Sequence, residues 1–178
     1  MSVDRNRAAV LAGEGFDLWQ AGKLEDALVK YVAALDAADP NHVALPDYHG
    51  EIACVLATLG RDPEALEQFE ISLMHELRRD PEGKDVGVTV ARYCVCEQLL
   101  KMKQPERVLH VVAQGVERAG TNEWLLRVVE ARASWDLSRR SEAKKSAALA
   151  VFKAPSEGKA KNLREYLAEI LGSAVDTP

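Results

Sequence analysis

Between Leu24 and Leu35 the apolar residues Leu24, Ala27, Leu28, Tyr31 and Leu35 fall three or four positions apart, which lines them up along one side of an α-helix. The same spacing runs through nearly the whole chain and is interrupted only at short stretches bearing Gly, Pro or Asp. It predicts about nine helices. The first spans about Asp4 to Gln20, with Val10, Leu11, Gly15 and Leu18 turned towards the next helix, and Gly22 ends it. The second runs from Lys23 to about Ala38, where Asp39-Pro40-Asn41 stops it, because proline cannot continue the hydrogen-bond ladder and disfavours the α region for the residue before it. Leu45 to Leu59 forms the third, with Pro46 in its first turn, and Asp62-Pro63 caps and opens a fourth that continues through Leu66, Phe69, Leu73 and Leu77.

The polar run Asp80 to Gly87 is the longest break and the expected place for a mobile loop. Beyond it, Val88 to Met102 and Pro105 to Ala119 make another pair. Thr121 or Asn122 caps a helix to about Leu137, Ser141 to Lys153 follows, and Pro155 ends that one. Ser156 to Leu171 is the final helix, striped by Ala160, Leu163, Leu167 and Ile170, with Gly172 at its end.

Paired in order, the first eight helices share internal offsets. Gly15, Ala27, Tyr31 and Ala34 are matched by Ala53, Ala65, Phe69 and Ser72, by Cys96, Val108, Val112 and Gly115, and by Ala131, Ala143, Ala147 and Ala150. In each set the first two members are small enough to let two helix backbones approach, the third fills the space between them, and the fourth leaves room for the next hairpin. An aliphatic residue follows each fourth member, namely Leu35, Leu73, Val116 and Val151, and is expected to be buried between repeats. Gly22 and Gly60 mark the turn within the first two hairpins, and Lys103 and Ser138 take that place in the last two.

This pattern resembles the tetratricopeptide repeat (TPR) over roughly residues 8 to 155. The resemblance implies an all-α fold of antiparallel hairpins, at about 4–38, 45–78, 86–119 and 121–154, stacked as a right-handed α-solenoid in a single domain spanning 1–178. The helix at about 156–171 would be the capping helix that such arrays need. The second members are 38, 43 and 35 residues apart, against the repeat's 34, so the insertions fall between hairpins, mainly at 39–46 and 79–87.

The resemblance also implies a function, since the leading helices of such proteins line a groove that holds another protein or peptide. Carried onto the matching positions, the groove comprises Phe16, Asp47, Glu51, Cys54, Tyr93, Cys94, Glu97, Val129, Arg132 and Trp135, with Ala12, Gly13, Gly50 and Val128 beside them. The Lys and Asn pattern with which the family's chaperone-tail binders hold a terminal carboxylate is absent. What remains, apolar and aromatic positions around an acidic middle, suits a partner with apolar anchors and basic character, with Phe16, Tyr93 and Trp135 as the expected anchors.

Composition narrows the alternatives. At 178 residues, 47% hydrophobic and 6% aromatic, the chain has material for a core of small and aliphatic side chains. No apolar run of about 18 residues could span a bilayer, and three cysteines, Cys54, Cys94 and Cys96, read as free thiols; a cytoplasmic protein without membrane partners is expected. The net charge of −5 divides into nine basic and 18 acidic residues up to position 100 and 14 and 10 after it. A net acidic chain is a poor match for nucleic acid, while the asymmetry leaves self-association open.

His42, His49, His75 and His110 form no catalytic or metal motif, Cys94 and Cys96 lack the further ligands a zinc site wants, and the glycines at 13 and 15 lie inside a helix instead of opening one after a strand. No catalytic residue, metal or cofactor is expected. The Arg139, Arg140, Lys144, Lys145 cluster reads as a solvated helix face. The expectation is a non-enzymatic adaptor, in a narrower version a cytosolic chaperone for an export substrate, with a self-associating structural component as the alternative.

Overall fold

The computed structural model of the protein describes residues 5–172. Nine α-helices follow one another among them: α1 (Arg5–Gln20), α2 (Leu24–Ala37), α3 (Leu45–Thr58), α4 (Asp62–Arg79), α5 (Val86–Lys101), α6 (Pro105–Ala113), α7 (Glu123–Asp136), α8 (Arg140–Phe152) and α9 (Glu157–Leu171), with no strand in the described residues. The expected start of the first helix at Asp4 lies outside them. Contacts divide the chain into two compact units, Met1–Arg78 and Arg79–Pro178.

Within each hairpin the turn is built the same way. Lys23, Arg61, Gln104 and Arg139 each donate their backbone N–H to the carbonyl five residues back, on Leu18, Leu56, Leu99 and Ser134, at 2.8 or 2.9 Å. This is the Schellman closure of a helix, and it needs a left-handed residue just before the donor. Gly22 and Gly60 supply it at φ 73° and 76°, and Lys103 and Ser138 supply it at φ 58° and 60°. The turn geometry has survived where glycine has not.

The helix contacts follow the sixteen aligned positions, all of which are buried. A Cβ on Gly15 would meet the Tyr31 ring at 3.2 Å, so the bulk of Tyr31 is accommodated by the missing side chain opposite it. Down the chain the first member grows from Gly to Ala or Cys while the third shrinks from Tyr to Phe, Val and Ala. In the first unit, Ala27, Tyr31, Ile52, Val55, Leu56 and Ala65 form one cluster and Ala8, Ala34 and Tyr48 another. In the second, Val128, Ala131, Ala143, Ala147, Ala150 and Val151 meet Leu163, Leu167 and Leu171 of α9, so the final helix covers the apolar side of the α7–α8 hairpin. Ser156 caps α9, its hydroxyl accepting the Lys159 N–H at 3.2 Å.

Several expectations are corrected. Val10 is exposed, and Ala8 takes the buried place in α1. Of the four aliphatic residues expected between repeats, Val116 and Val151 are buried, but Leu35 and Leu73 are only half-buried. In the connection before α5, the Asp80 carboxylate accepts the backbone N–H groups of Lys84 and Asp85, the latter at 2.7 Å. Neither Thr121 nor Asn122 caps α7 with its side chain; a 3₁₀ turn over Gly120–Asn122 leads into it.

The largest departure is in α6, which stops at Ala113 instead of Ala119 and gives way to a 3₁₀ turn at Val116–Arg118. Arg92 of α5 explains it. Arg92 is 4% exposed, and its guanidinium lies against Gly115, where a Cβ would stand 2.5 Å from Nε. One Nη donates to the Val111 carbonyl at 3.4 Å, and Nε has no hydrogen-bond partner. The cation therefore sits at the C-terminal end of α6, where the last carbonyls of a helix concentrate partial negative charge. Burial, with Arg118 nearby, pulls its pKa below the ordinary arginine value.

Candidate functional site

In the second unit, the leading helices α5 and α7 and the final helix α9 bring four polar side chains together. Tyr93 and Glu97 stand one turn apart on α5, and the spacing of four puts them on the same face. From α7, Arg132 donates through Nη1 to Glu97 Oε1 at 2.5 Å, and the two side chains are 22% and 32% exposed. The Tyr93 hydroxyl hydrogen-bonds to the same carboxylate, and Tyr166 of α9 lies within electrostatic reach of both members of the ion pair. Burial works against the charge of Arg132, but the hydrogen bond and attraction of Glu97 outweigh it and raise its pKa. Burial, reinforced by Glu97, pushes the Tyr93 hydroxyl well above the usual tyrosine range. The result is a part-buried charged pair with Tyr93 hydrogen-bonded to its carboxylate and Tyr166 within electrostatic reach.

Burial also acts on the neighbouring thiols. It raises the pKa of half-buried Cys94 and pushes that of buried Cys96 up to about 12, which favours the neutral thiol in both.

The other groove positions in this unit fare differently. Val129 is 0% exposed and Val128 3%, so both belong to the core and offer a partner no surface. Both share the groove register of the repeat, but α7 is covered on more than one side. Trp135 is half-buried against the Ala131, Ala143 and Ala147 cluster, and the Arg140 guanidinium lies 3.6 Å over its ring while donating to its carbonyl at 3.0 Å. Its accessible face is therefore already occupied.

In the first unit, Phe16 is 47% exposed, with Trp19 edge-on at 6.4 Å between ring centroids. Asp47 is exposed, and Glu51 and Cys54 are half-buried on the same helix, α3. Glu51 accepts a hydrogen bond from the Tyr31 hydroxyl at 3.3 Å. Burial raises the Glu51 pKa, the Tyr31 bond opposes this, and Asp47 adds to it. Its carboxylate is thus partly committed to the hairpin core.

Two arrangements had no signal in the sequence. Tyr166 lies off the apolar stripe of α9 and joins the Glu97–Arg132 pair only through the packing of α9. His49 and His75, 26 residues apart, stack at 5.4 Å between ring centroids, with a His49 ring nitrogen 2.8 Å from the Gln68 amide oxygen. Among the described residues no group of three His, Cys, Asp or Glu side chains could hold a metal ion. No helix there is long and apolar enough to cross a membrane.

No protein-family model matches the sequence, and no curated protein matches it. Solved structures do match the fold. MamA MSR-1 C2 aligns at a TM-score of 0.57 and 19% identity over 94% of this chain and 88% of that one. YrrB, described as a TPR protein with an unusual peptide-binding site, aligns at 0.57 and 19% over 90% and 84%. MamA AMB-1 P212121 aligns at 0.57 and 20% over 95% and 85%. Similarity at this level of identity establishes architecture, and the architecture is that of the tetratricopeptide-repeat proteins.

Proposed function

We propose that this all-helical repeat protein is a non-enzymatic scaffold or adaptor that captures a segment of another protein on the leading-helix faces of its hairpins. The observation that carries the reading is the part-buried Glu97–Arg132 pair, with Tyr93 hydrogen-bonded to it and Tyr166 within electrostatic reach. A prepositioned ion pair offers a donor and an acceptor at fixed places, and tyrosines beside it present apolar area with a polar tip and few rotatable bonds. The peptide-binding site ascribed to YrrB, a protein of similar fold, supports the same class of partner.

Exposed Phe16 and Asp47 in the first unit suit a segment with apolar and basic residues. Glu97 adds less to that preference, because Arg132 neutralises it. A cytoplasmic location fits the three free thiols, and the chaperone role is the version in which the captured segment belongs to a client protein.

The test is to identify bound segments by cross-linking in native lysate and titrate the synthetic peptides calorimetrically. Tyr93→Ala should weaken binding about tenfold or more. Reversing Glu64 and Glu67, both exposed on the trailing helix α4, should change it little. Unchanged affinity in folded Tyr93→Ala, or a larger effect from the α4 pair, would sink the proposal.

A second reading, a self-associating structural component, is favoured by charge. Residues 1–78 carry six basic and 14 acidic side chains, and residues 79–178 carry 17 and 14. Head-to-tail contact between copies would bring opposite net charges together. Light scattering at low and high salt decides it: oligomers that dissociate in salt favour this reading, and a monomer at both ends the first.

A further inference from the structure

A cleft of about 310 Å³ in the second unit is lined by Leu109 of α6, by Arg127, Glu130 and Ser134 of α7, and by Arg139 and, from α8, Glu142, Lys145, Ser146 and Leu149. It uses none of the residues assigned above to the groove. Its charges are not equally available. Arg127 is held between Glu123 at 2.9 Å and Glu130 at 2.8 Å, and Glu130 also accepts the Ser146 hydroxyl at 2.8 Å. These groups satisfy one another.

What is left at the opening is cationic. Arg139 reaches exposed Glu142 only at 3.8 Å, and exposed Lys145 has no hydrogen-bond or ion-pair partner among the described residues. Leu109 and Leu149 supply aliphatic lining that a bare anion would not use.

We infer that this cleft is a second docking site, which takes an acidic segment of a partner protein, seating an aliphatic side chain against Leu109 and Leu149 and a carboxylate on Lys145 and Arg139. Complementarity carries the choice of occupant. Two weakly engaged cations, Arg139 and Lys145, stand against a single exposed carboxylate, Glu142, in a chain whose net charge is otherwise negative, so an incoming carboxylate finds two partners where an incoming cation finds one that Arg139 already approaches. A volume near the lower end of the usual range for ligand sites accommodates one or two side chains and no folded domain. The site does not depend on the groove, so either assignment can fail without the other.

Fluorescence anisotropy with the full chain tests it. The probe is a labelled peptide of about nine residues repeating Asp-Leu-Glu, with Lys-Leu-Lys and Asp-Gly-Glu repeats as controls. The acidic leucine peptide should bind best, lose affinity as salt rises, and bind about tenfold more weakly to Lys145→Glu. Arg139→Ala should weaken it in the same direction, Lys145→Arg should retain it, and Tyr93→Ala should leave it unchanged. Equal binding of the glycine or lysine peptide, or a folded Lys145→Glu within twofold of the parent, overturns the inference. So does a chain that ignores all three peptides and forms salt-sensitive oligomers abolished by Lys145→Glu, because the cleft would then take a second copy.

Discussion

The buried guanidinium of Arg92 shows how one side chain can set the length of a helix. It takes the space at Gly115 and the carbonyl of Val111, and α6 ends beside it. Gly115→Ala should therefore destabilise the protein by about 1–3 kcal/mol through overpacking, read as a shift in the denaturant midpoint. Arg92→Met should relieve most of that cost, because a flexible thioether yields to the new methyl group and removes an unpaired buried charge. Additive effects of the two changes would mean that Arg92 and Gly115 do not share this space. The left-handed turn residues offer a prediction of opposite sign. Lys103→Gly and Ser138→Gly should each stabilise by about 0.5–1 kcal/mol, since a side chain is strained at that φ and the turn is otherwise identical to those at Gly22 and Gly60. A lower melting temperature for both would show that those side chains make compensating contacts.

Helix contacts carry the next level. α9 buries Leu163, Leu167 and Leu171 against the α7–α8 hairpin, so ending the chain after Pro155 would expose Val128, Ala147 and Val151. The truncated protein should melt at a lower temperature and bind a hydrophobic dye; equal stability would make α9 peripheral. The α3–α4 contact contains the stacked His49 and His75. Burial lowers the His75 pKa, with repulsion from His49 and Arg78 adding to it. A histidine depressed in the folded state binds its proton more readily when unfolded, so its contribution is intact above the ordinary value of 6.5 and is lost as pH falls below that towards the folded value. Stability should decline over that interval in the parent and decline less in His75→Gln, measured by chemical denaturation at a series of pH values. Parallel pH profiles would remove the pair from the account.

At the scale of the molecule, the two compact units each hold their own apolar clusters, those of Tyr31 and Tyr48 in the first and that of α7 to α9 in the second. Residues 1–78 and 79–178 produced separately should each give a cooperative thermal transition by circular dichroism. A fragment that is unfolded alone would show that its core is completed by the other. Net charge divides along the same line, acidic before Arg79 and mildly basic after it, which is why salt is the lever that separates partner capture from self-association.

The all-helical class, the hairpin register and the four turns were legible in the sequence because each depends on neighbours within a few residues or on a recurring offset. The spacing of Ala27 and Tyr31, the small residue at Gly15 and the turn at Gly22 are local requirements that repeat, and the sixteen aligned positions are buried together. Tertiary structure decided which of the groove-register residues are exposed and which are covered. Val128 and Val129 share the groove register with Arg132 but lie in the core, Trp135 is covered by Arg140, and Tyr166 joins Glu97 and Arg132 from a helix outside the repeat. The early end of α6 and the pairing of His49 with His75 belong to the same class. Helical periodicity specifies which residues share a face, whereas the packing of other hairpins determines which part of that face is covered, and no local pattern encodes those distant neighbours.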